Sequence, residues 1–163
     1  QTNEKERSEN IMIVVLARND LSITATKGSV KVEELCEIYT FKQVHHLIST
    51  VVSEVEHTIS PVEIIRTTFP MGSMTGAPKI AAMQLIETLE STKRGVYSGA
   101  IGYFSPSNDF DFNVVIRSVL YNSKNKYLSF SVGSAITANA IPTQEYQECL
   151  LKAKAIFEVL SVK

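Results

Sequence analysis

The sequence has almost no net charge, few cysteines and no long hydrophobic run. Its 163 residues carry a net charge of −1, and the lack of a basic patch or an acidic tail argues against a nucleic-acid partner. The longest apolar run, residues 11–17, is too short to cross a bilayer, which argues against a membrane partner. Cys36 and Cys149 are the only cysteines, and their separation matches neither a metal site nor a disulfide framework. We therefore expect a soluble, cytoplasmic protein of one-domain size with reduced thiols.

Glycine and proline are also scarce, with 7 and 5 residues, yet two of each lie in the segment 69–79, Phe-Pro-Met-Gly-Ser-Met-Thr-Gly-Ala-Pro-Lys. Ordering a glycine costs extra backbone entropy, which is accepted where a backbone approaches a ligand closely. A P-loop is excluded, because three residues instead of four separate Gly72 from Gly76 and a proline precedes Lys79. A dinucleotide-binding loop is excluded as well, because no Gly-x-Gly-x-x-Gly follows a strand.

The same segment still offers hydrogen-bond donors. The hydroxyls of Ser73 and Thr75, the backbone N–H groups and a helix N-terminus together suit a small carboxylate or hydroxyl ligand. The alternative is a tight turn that begins a helix. Composition alone leaves both interpretations open.

Hydrophobic periodicity and turn residues predict alternating helices and strands. Helices are predicted at residues 5–18, 61–68, 76–91 and 142–160. Strands are predicted at residues 41–55, 95–105, 110–122 and 126–138. Because three strands follow one another, antiparallel pairing is favoured, and the fold class is expected to be α+β, an antiparallel sheet flanked by helices.

The last predicted helix carries two acids and a lysine at helical spacing. Glu145, Glu148 and Lys152 stand at i, i+3 and i+7, on one face of the helix. Two carboxylates on one face suit a hard divalent cation, and the lysine suits a substrate carboxylate. The alternative is an ordinary ion pair on a solvated face. The helix is predicted to pack through a separate apolar stripe formed by Tyr146, Leu150, Ala153 and Phe157.

The first predicted helix has a similar pair of acids near its start. Glu6 and Glu9 stand at i, i+3, where the alternative is a solvated polar terminus. Its apolar stripe is predicted to lie on the side of the helix that contains Ile11, Val14, Val15 and Arg18.

Several blocks of this sequence, all in the same order, resemble those of the chorismate-utilising enzymes. The blocks are 6–13 with 17–21, 46–49, 69–90 with 94–103, 115–117 and 145–152. The resemblance covers nearly the whole chain and implies the anthranilate synthase-like chorismate-binding fold. It also implies that residues 1–163 form the C-terminal portion of one chorismate-binding domain, whose upstream part, with its Pro-Ile-Lys/Ala-Gly-Thr segment, is absent.

The resemblance implies roles for individual residues. Glu9 and Glu148 match the positions of Mg²⁺ ligands, and His46 and Ser73 match catalytic positions. Substrate-binding roles are implied for Tyr97, Arg117, Gly133, Lys152, Glu6 and Glu145. Without the resemblance, a lone histidine such as His46 is more often a satisfied core residue.

Some of these positions carry further expectations. Tyr97 and Arg117 are expected to hold the enolpyruvyl side chain of chorismate, although Arg117 could instead be an inward strand arginine paired with an acid. His45 would alternate to the opposite face of its strand and is given no role.

This sequence also departs from the family pattern at two places. Ala135 stands where relatives have a second glycine, which weakens the expected backbone contact there. Residues 139–142, Asn-Ala-Ile-Pro, remove the usual cap of the last helix unless Asn139 or Thr143 substitutes.

Within the family, the 69–79 segment is most similar to component I of aminodeoxychorismate synthase. That similarity implies Mg²⁺-dependent amination of chorismate at C4 for folate biosynthesis, with ammonia from a glutamine amidotransferase component. In that branch the nucleophile is a lysine of the upstream segment, so Lys79 is not expected to act in its place. The alternatives are anthranilate synthase component I, or a non-catalytic folded fragment. We expect this chain by itself to be inactive.

Overall fold

The computed structural model describes residues 4–41 and 45–161. Its helices are α1 (Glu4–Ser22), α2 (Pro61–Thr68), α3 (Lys79–Leu89) and α4 (Pro142–Leu160), and a 3₁₀ turn spans Gly72–Met74. Its strands are β1 (Lys31–Thr40), β2 (His45–Val52), β3 (Ala100–Phe104), β4 (Phe110–Val114), β5 (Val119–Asn122) and β6 (Tyr127–Phe130). This combination of helices and antiparallel strands confirms the α+β class. The chain forms two compact units, a first unit of residues 1–91 and 106–110 and a second unit of residues 92–105 and 111–163.

The strands pair in three two-stranded sheets, β1 with β2, β3 with β4, and β5 with β6. The β1–β2 and β5–β6 pairs are antiparallel. A bulge interrupts β1 between Glu34 and Glu37, where the register against β2 shifts. The sequence pattern missed β1 altogether. Of the strand predicted at 41–55, residues 45–52 are confirmed, while residues 42–44 lie outside the described part of the chain.

The other three predicted strands are shorter than expected, and of the strand predicted at 95–105 only residues 100–104 are confirmed. The strand predicted at 110–122 is two strands, because Arg117 has a φ of 50° and breaks the extended backbone between β4 and β5. The strand predicted at 126–138 ends at Phe130, and the following residues, 131–137, lie outside any strand.

Proline defines where two of the helices begin. α2 and α4 each start at a proline, Pro61 and Pro142, whose fixed φ suits the first helical position, and their predicted bounds are confirmed. The Ser60 hydroxyl caps α2 by accepting a bond from the Val62 N–H at 3.3 Å. α4 begins after Ile141 without any side-chain cap, so the usual cap has no replacement.

α1 packs against β1, β2, α2 and the 3₁₀ turn. The predicted apolar stripe is wrong for this helix: Val14 is buried, but Ile11, Val15 and Arg18 are exposed. Residues 11–17 are apolar on every side, so the sequence contained no periodicity that could identify the packed face.

Few apolar side chains are buried within the described residues; these are Val14, Val115 and Ala153. The predicted packing of α4 is therefore mostly wrong, since Ala153 is buried while Tyr146 and Leu150 are exposed. On α3, Ile80 and Leu89 are 73% and 76% exposed. No helix within residues 4–41 or 45–161 is both long and apolar enough to cross a membrane.

Candidate active site

In the first unit, the predicted metal ligand Glu9 lies on α1. Its side chain is 22% exposed, and the Lys5 ammonium lies 3.7 Å from the Glu9 Oε1 atom, one helical turn away. Glu6 is exposed in the first turn of α1, where the helix dipole stabilises a negative charge. A partly buried carboxylate with an exposed acidic neighbour fits a site that attracts cations.

A hydrogen bond connects α1 to the strand that carries His46. The Asn10 side-chain amide donates to the Leu47 carbonyl at 3.2 Å, and Asn10 also accepts a bond from the Ser49 hydroxyl at 2.5 Å. Asn10 follows Glu9 and Leu47 follows His46, so these contacts hold the helix turn of Glu9 against the strand segment of His46.

His46 is half-buried, and its surroundings restrict its ring. Its cross-strand partner is Tyr39, and the Phe41 ring lies edge-on with a centroid separation of 5.9 Å. The neighbouring His45 is exposed, with its Nδ1 3.0 Å from the Thr40 hydroxyl. The two histidines thus differ in burial, and the absence of a role for His45 stays a prediction.

A carboxylate on the same hairpin as His46 has a perturbed pKa. Hydrogen bonds from the Thr50 hydroxyl at 2.6 Å and the Tyr39 hydroxyl at 2.7 Å lower the pKa of Glu34. The same contact with Glu34 raises the pKa of Tyr39. The hydrogen bond to Glu34 therefore orients Tyr39, the cross-strand partner of His46.

Hydrogen bonds within the glycine-rich segment 69–79 fold it into a turn. The Thr75 hydroxyl donates to the Met71 carbonyl at 3.0 Å, and the N–H groups of Met74 and Thr75 donate to carbonyls of the same turn. The predicted donor set is therefore partly wrong, because the Thr75 hydroxyl is committed within the loop. Ser73, by contrast, is exposed.

Two contacts attach this loop to α1. A Cβ atom on Gly72 would lie 2.8 Å from the Leu16 Cβ, so only glycine fits there. The Lys79 ammonium lies 2.6 Å from the Asp20 carboxylate, and both side chains are largely buried. Sequence reasoning missed this ion pair, although Asp20 lies in one of the blocks that match the family.

In the second unit, four predicted site residues lie close together. The Lys152 ammonium donates to the Gly133 carbonyl at 3.0 Å and pairs with the Glu148 carboxylate at 2.6 Å. Gly133 also lies against Tyr97, whose hydroxyl would be 2.9 Å from a Cβ at that position. The loop that contains Gly133 thus brings Tyr97 next to the polar face of α4.

Glu145 lies on the same helix but in different surroundings. It is 4% exposed and accepts a hydrogen bond from the Ser134 hydroxyl. The solvated-face alternative is therefore wrong for Glu145, while Glu148 and Lys152 do form the ordinary i, i+4 pair that it described. Sequence reasoning missed Ser134, because nothing local links it to a residue eleven positions later.

A cavity of about 310 Å³ opens beside the buried Glu145 carboxylate. Most of its lining is apolar, from the 136–142 segment and the first turns of α4, and Ser134 and Cys149 also line it. A small molecule with a polar group next to an apolar body would match this lining.

Arg117 does not lie in a strand, contrary to the prediction from the sequence. It is exposed in the segment between β4 and β5, so the interpretation as an inward strand arginine is wrong. Ala135 is exposed as well. The substrate-binding role of Arg117 stays a prediction.

The two residues that match Mg²⁺ ligands lie in different units, Glu9 in the first and Glu148 in the second. Within the described residues, no group of three or more histidine, cysteine, aspartate and glutamate side chains forms a ready metal site. Mg²⁺ needs only one or two carboxylates when waters and a ligand oxygen complete its shell. The donor chemistry of Glu9 and Glu148 fits this ion.

The comparisons with known proteins agree with one another. The profile of the chorismate binding enzymes matches residues 1–158. The chain is 45% identical to an aminodeoxychorismate synthase of Streptomyces griseus, covering 98% of this chain and 22% of that protein. It is 38% identical to anthranilate synthase component 1 of Aquifex aeolicus, covering 99% of this chain and 32% of that protein. The crystal structure of anthranilate synthase component I from Streptococcus pneumoniae superposes with a TM-score of 0.80 at 36% identity, covering 94% of this chain and 35% of that one. The chain thus spans well under half the length of these relatives.

Proposed function

Because the chain belongs to the chorismate binding enzyme family, we propose that it is part of an aminodeoxychorismate synthase component I. The reaction is the Mg²⁺-dependent amination of chorismate at C4, which supplies folate biosynthesis. The observation that carries this assignment is the identity of 39–45% to aminodeoxychorismate synthases, against 38–39% to anthranilate synthase components 1. The 69–79 segment, with Gly-Ser-Met-Thr-Gly-Ala-Pro-Lys, supports the same choice.

In the proposed reaction, the C4 hydroxyl leaves and ammonia from a glutamine amidotransferase ends bonded to C4, with the lysine of the upstream segment as the expected nucleophile. Glu9 and Glu148 would hold Mg²⁺, which when bound supplies a positive charge for the ring carboxylate and helps polarise the leaving hydroxyl. His46 would lie near that hydroxyl, where an imidazole can donate a proton to the leaving group. Ser73 offers an exposed hydroxyl to the substrate.

The polar face of α4 would bind the anionic parts of chorismate. Lys152 donates to the Gly133 carbonyl and to Glu148, so a substrate carboxylate would take over one of these bonds. Exchange of one acceptor for another keeps the ammonium paired throughout, which avoids an uncompensated charge. Tyr97, which lies beside Gly133, would contact the enolpyruvyl group. Arg117, Glu6 and Glu145 complete the proposed substrate contacts.

We expect the 163-residue chain alone to be non-catalytic. It spans less than half of its relatives, and few of its apolar side chains are buried among the described residues. The purified chain should consume no chorismate in the presence of Mg²⁺ and ammonium, although it should bind a hydrophobic dye through exposed side chains such as Ile80 and Leu89. Chorismate turnover by this chain would contradict the expectation.

The decisive experiment incubates the full-length enzyme with chorismate, Mg²⁺ and ammonium and resolves the products by mass. Aminodeoxychorismate, converted to p-aminobenzoate when a lyase is added, is the expected product. Anthranilate with released pyruvate would instead favour the second candidate, anthranilate synthase component I, which the structural match to the Streptococcus pneumoniae enzyme supports. The same residues would keep their roles in that case.

A further inference from the structure

The loop 69–79 reaches α1 through an ion pair that has no role in the proposed chemistry. The Lys79 ammonium lies 2.6 Å from the Asp20 carboxylate, and their side chains are 18% and 10% exposed. The two residues are 59 positions apart in the chain. A pair with this burial and separation is a tertiary connection, unlike the exposed i, i+4 pairs whose energetic value is small.

The dipoles of both helices disfavour the charges of this ion pair. Asp20 lies in the last turn of α1, where the helix dipole disfavours a negative charge, and Lys79 is the first residue of α3, where it disfavours a positive charge. Neither charge stabilises its own helix, so local helix stability does not account for either residue. Each charge is compensated by the other.

The contacts lie along a single line of α1. Glu9, Leu16 and Asp20 are separated by 7 and 4 residues, which an α-helix places on one face because it has about 3.6 residues per turn. Leu16 contacts Gly72 near the start of the loop, and Asp20 contacts Lys79 at its end. The loop therefore lies on the side of α1 that carries Glu9.

We infer that Asp20 and Lys79 are positioning residues, which hold the loop 69–79, and with it Ser73, on the Glu9 side of α1. The inference rests on the proposed function for the roles of Ser73 and Glu9. The bonds inside the turn, from Met74 and Thr75 to Met71 and Gly72, shape the loop but do not attach it to the helix. Lys79 provides the polar attachment.

Hydrogen exchange in the full-length enzyme tests this attachment directly. In Asp20→Asn, the N–H groups of Met74 and Thr75 should exchange at least about tenfold faster, while the β1–β2 hairpin stays protected. Glu63→Gln is the matched control, because it removes an exposed ion pair with Arg66 in the same unit and should leave the loop unchanged. Unchanged exchange of Met74 and Thr75 in Asp20→Asn would overturn the inference.

A second pair of variants separates positioning from folding. If Asp20→Asn unfolds the whole unit, Lys79→Met and Lys79→Arg replace it, because Lys79 is the more exposed partner. Lys79→Met should speed hydrogen exchange in the loop and lower kcat/KM about tenfold or more. Lys79→Arg keeps the charge, so its loop protection and its kcat/KM should both be closer to wild type. Equal losses in the two variants would contradict the inference.

The two readouts also distinguish failure of the inference from failure of the proposed function. Faster loop exchange with unchanged turnover supports the positioning role and counts against Ser73 as a substrate contact. Lost turnover with unchanged loop exchange overturns the positioning role and leaves the proposed function in place.

Discussion

α1 and α4 have the same length, 19 residues, and each carries one proposed Mg²⁺ ligand with a lysine four residues away. They are held in place differently. α1 packs against β1, β2, α2 and the 3₁₀ turn, and its Val14 is buried. α4 makes its polar contacts with the rest of its unit through site residues, since Lys152 donates to Gly133 and Glu145 accepts from Ser134.

On α1, the residues that hold the helix in place differ from the proposed metal ligand. On α4, some of the residues that hold the helix in place are also proposed to bind the ligand. On α1, packing and the Asn10 bond hold the backbone, so Glu9 contributes little to its own position. On α4, the side chains that make the polar attachments are also those proposed to bind substrate, while Ala153 is buried and Phe157 packs on Phe130. A ligand at Lys152 or Glu145 must therefore compete with contacts to the rest of the unit, whereas a ligand at Glu9 competes with Lys5 of the same helix.

The largest effect should come from removing either proposed metal ligand. In the full-length enzyme, Glu9→Gln and Glu148→Gln should each reduce Mg²⁺-dependent turnover about 100-fold or more, because a neutral amide is a poor ligand for a hard cation. Glu158→Gln is the control, since Glu158 pairs with Lys154 on the same helix at the same i, i+4 spacing and is exposed. Steady-state rates over a Mg²⁺ titration would measure the loss, and wild-type turnover in Glu148→Gln would refute the assignment.

An intermediate effect is expected from two glycine substitutions that compare the units. A Cβ at Gly72 meets the Leu16 Cβ at 2.8 Å, close to backbone that is already packed, so Gly72→Ala should lower the free energy of unfolding by about 1–3 kcal/mol. A Cβ at Gly133 meets only the hydroxyl end of the Tyr97 side chain, which can turn away, so Gly133→Ala should cost less than about 1 kcal/mol.

Urea denaturation of the full-length variants would measure both values. The double variant Gly72→Ala with Leu16→Ala should cost less than the sum of the two single changes, because Leu16→Ala removes the contact with the Leu16 Cδ1 at 2.9 Å and leaves only the contact with the Cβ. An equal loss of unfolding free energy in Gly72→Ala and Gly133→Ala would contradict the proposed contrast between a packed and a polar attachment.

The smallest effect concerns the hairpin that supports α1. Glu34 has a lowered pKa, mainly because Thr50 donates a hydrogen bond to it and then because Tyr39 does. Its folded-state pKa lies below the unfolded value, so its contribution to stability is present above the unfolded pKa and is lost as pH falls through the folded pKa. Thr50→Val should move the pKa of Glu34 upward, toward its ordinary value.

An NMR titration of the Glu34 side chain in the acid range would follow this change. Thr88→Val is the control, because the Thr88 hydroxyl bonds its own helix at Gln84 and does not contact the hairpin. An unchanged Glu34 titration in Thr50→Val would show that the hydrogen bond is not the main cause.

Sequence reasoning succeeded where the signal is local. The prolines at positions 61 and 142 marked the first residues of α2 and α4, because a fixed φ acts on the residue itself. It failed where the signal is cooperative: the uniformly apolar run in α1 concealed which face is packed, and a positive φ at Arg117 split one predicted strand into two.

In the candidate site, too, the sequence predicted the features with a local signal and missed those that depend on tertiary contacts. The i, i+4 pair of Glu148 and Lys152 follows from helical spacing, and the order of the family blocks named Glu9, His46 and Ser73 without any structure. The spacing of the charges on α4 could not indicate that Glu145 is buried or that Lys152 donates to Gly133, since those contacts depend on the loop 131–137.

The sequence by itself determined the α+β class, the bounds of α2 and α4 and the membership of the chorismate binding enzymes. Each of these depends on local backbone preferences or on the order of motifs along the chain. Only the tertiary structure decided that Lys79 meets Asp20, that Gly72 fits against Leu16 and that Ser134 bonds Glu145. Propensities reach only a few residues along the chain, whereas these contacts join residues that folding alone brings together.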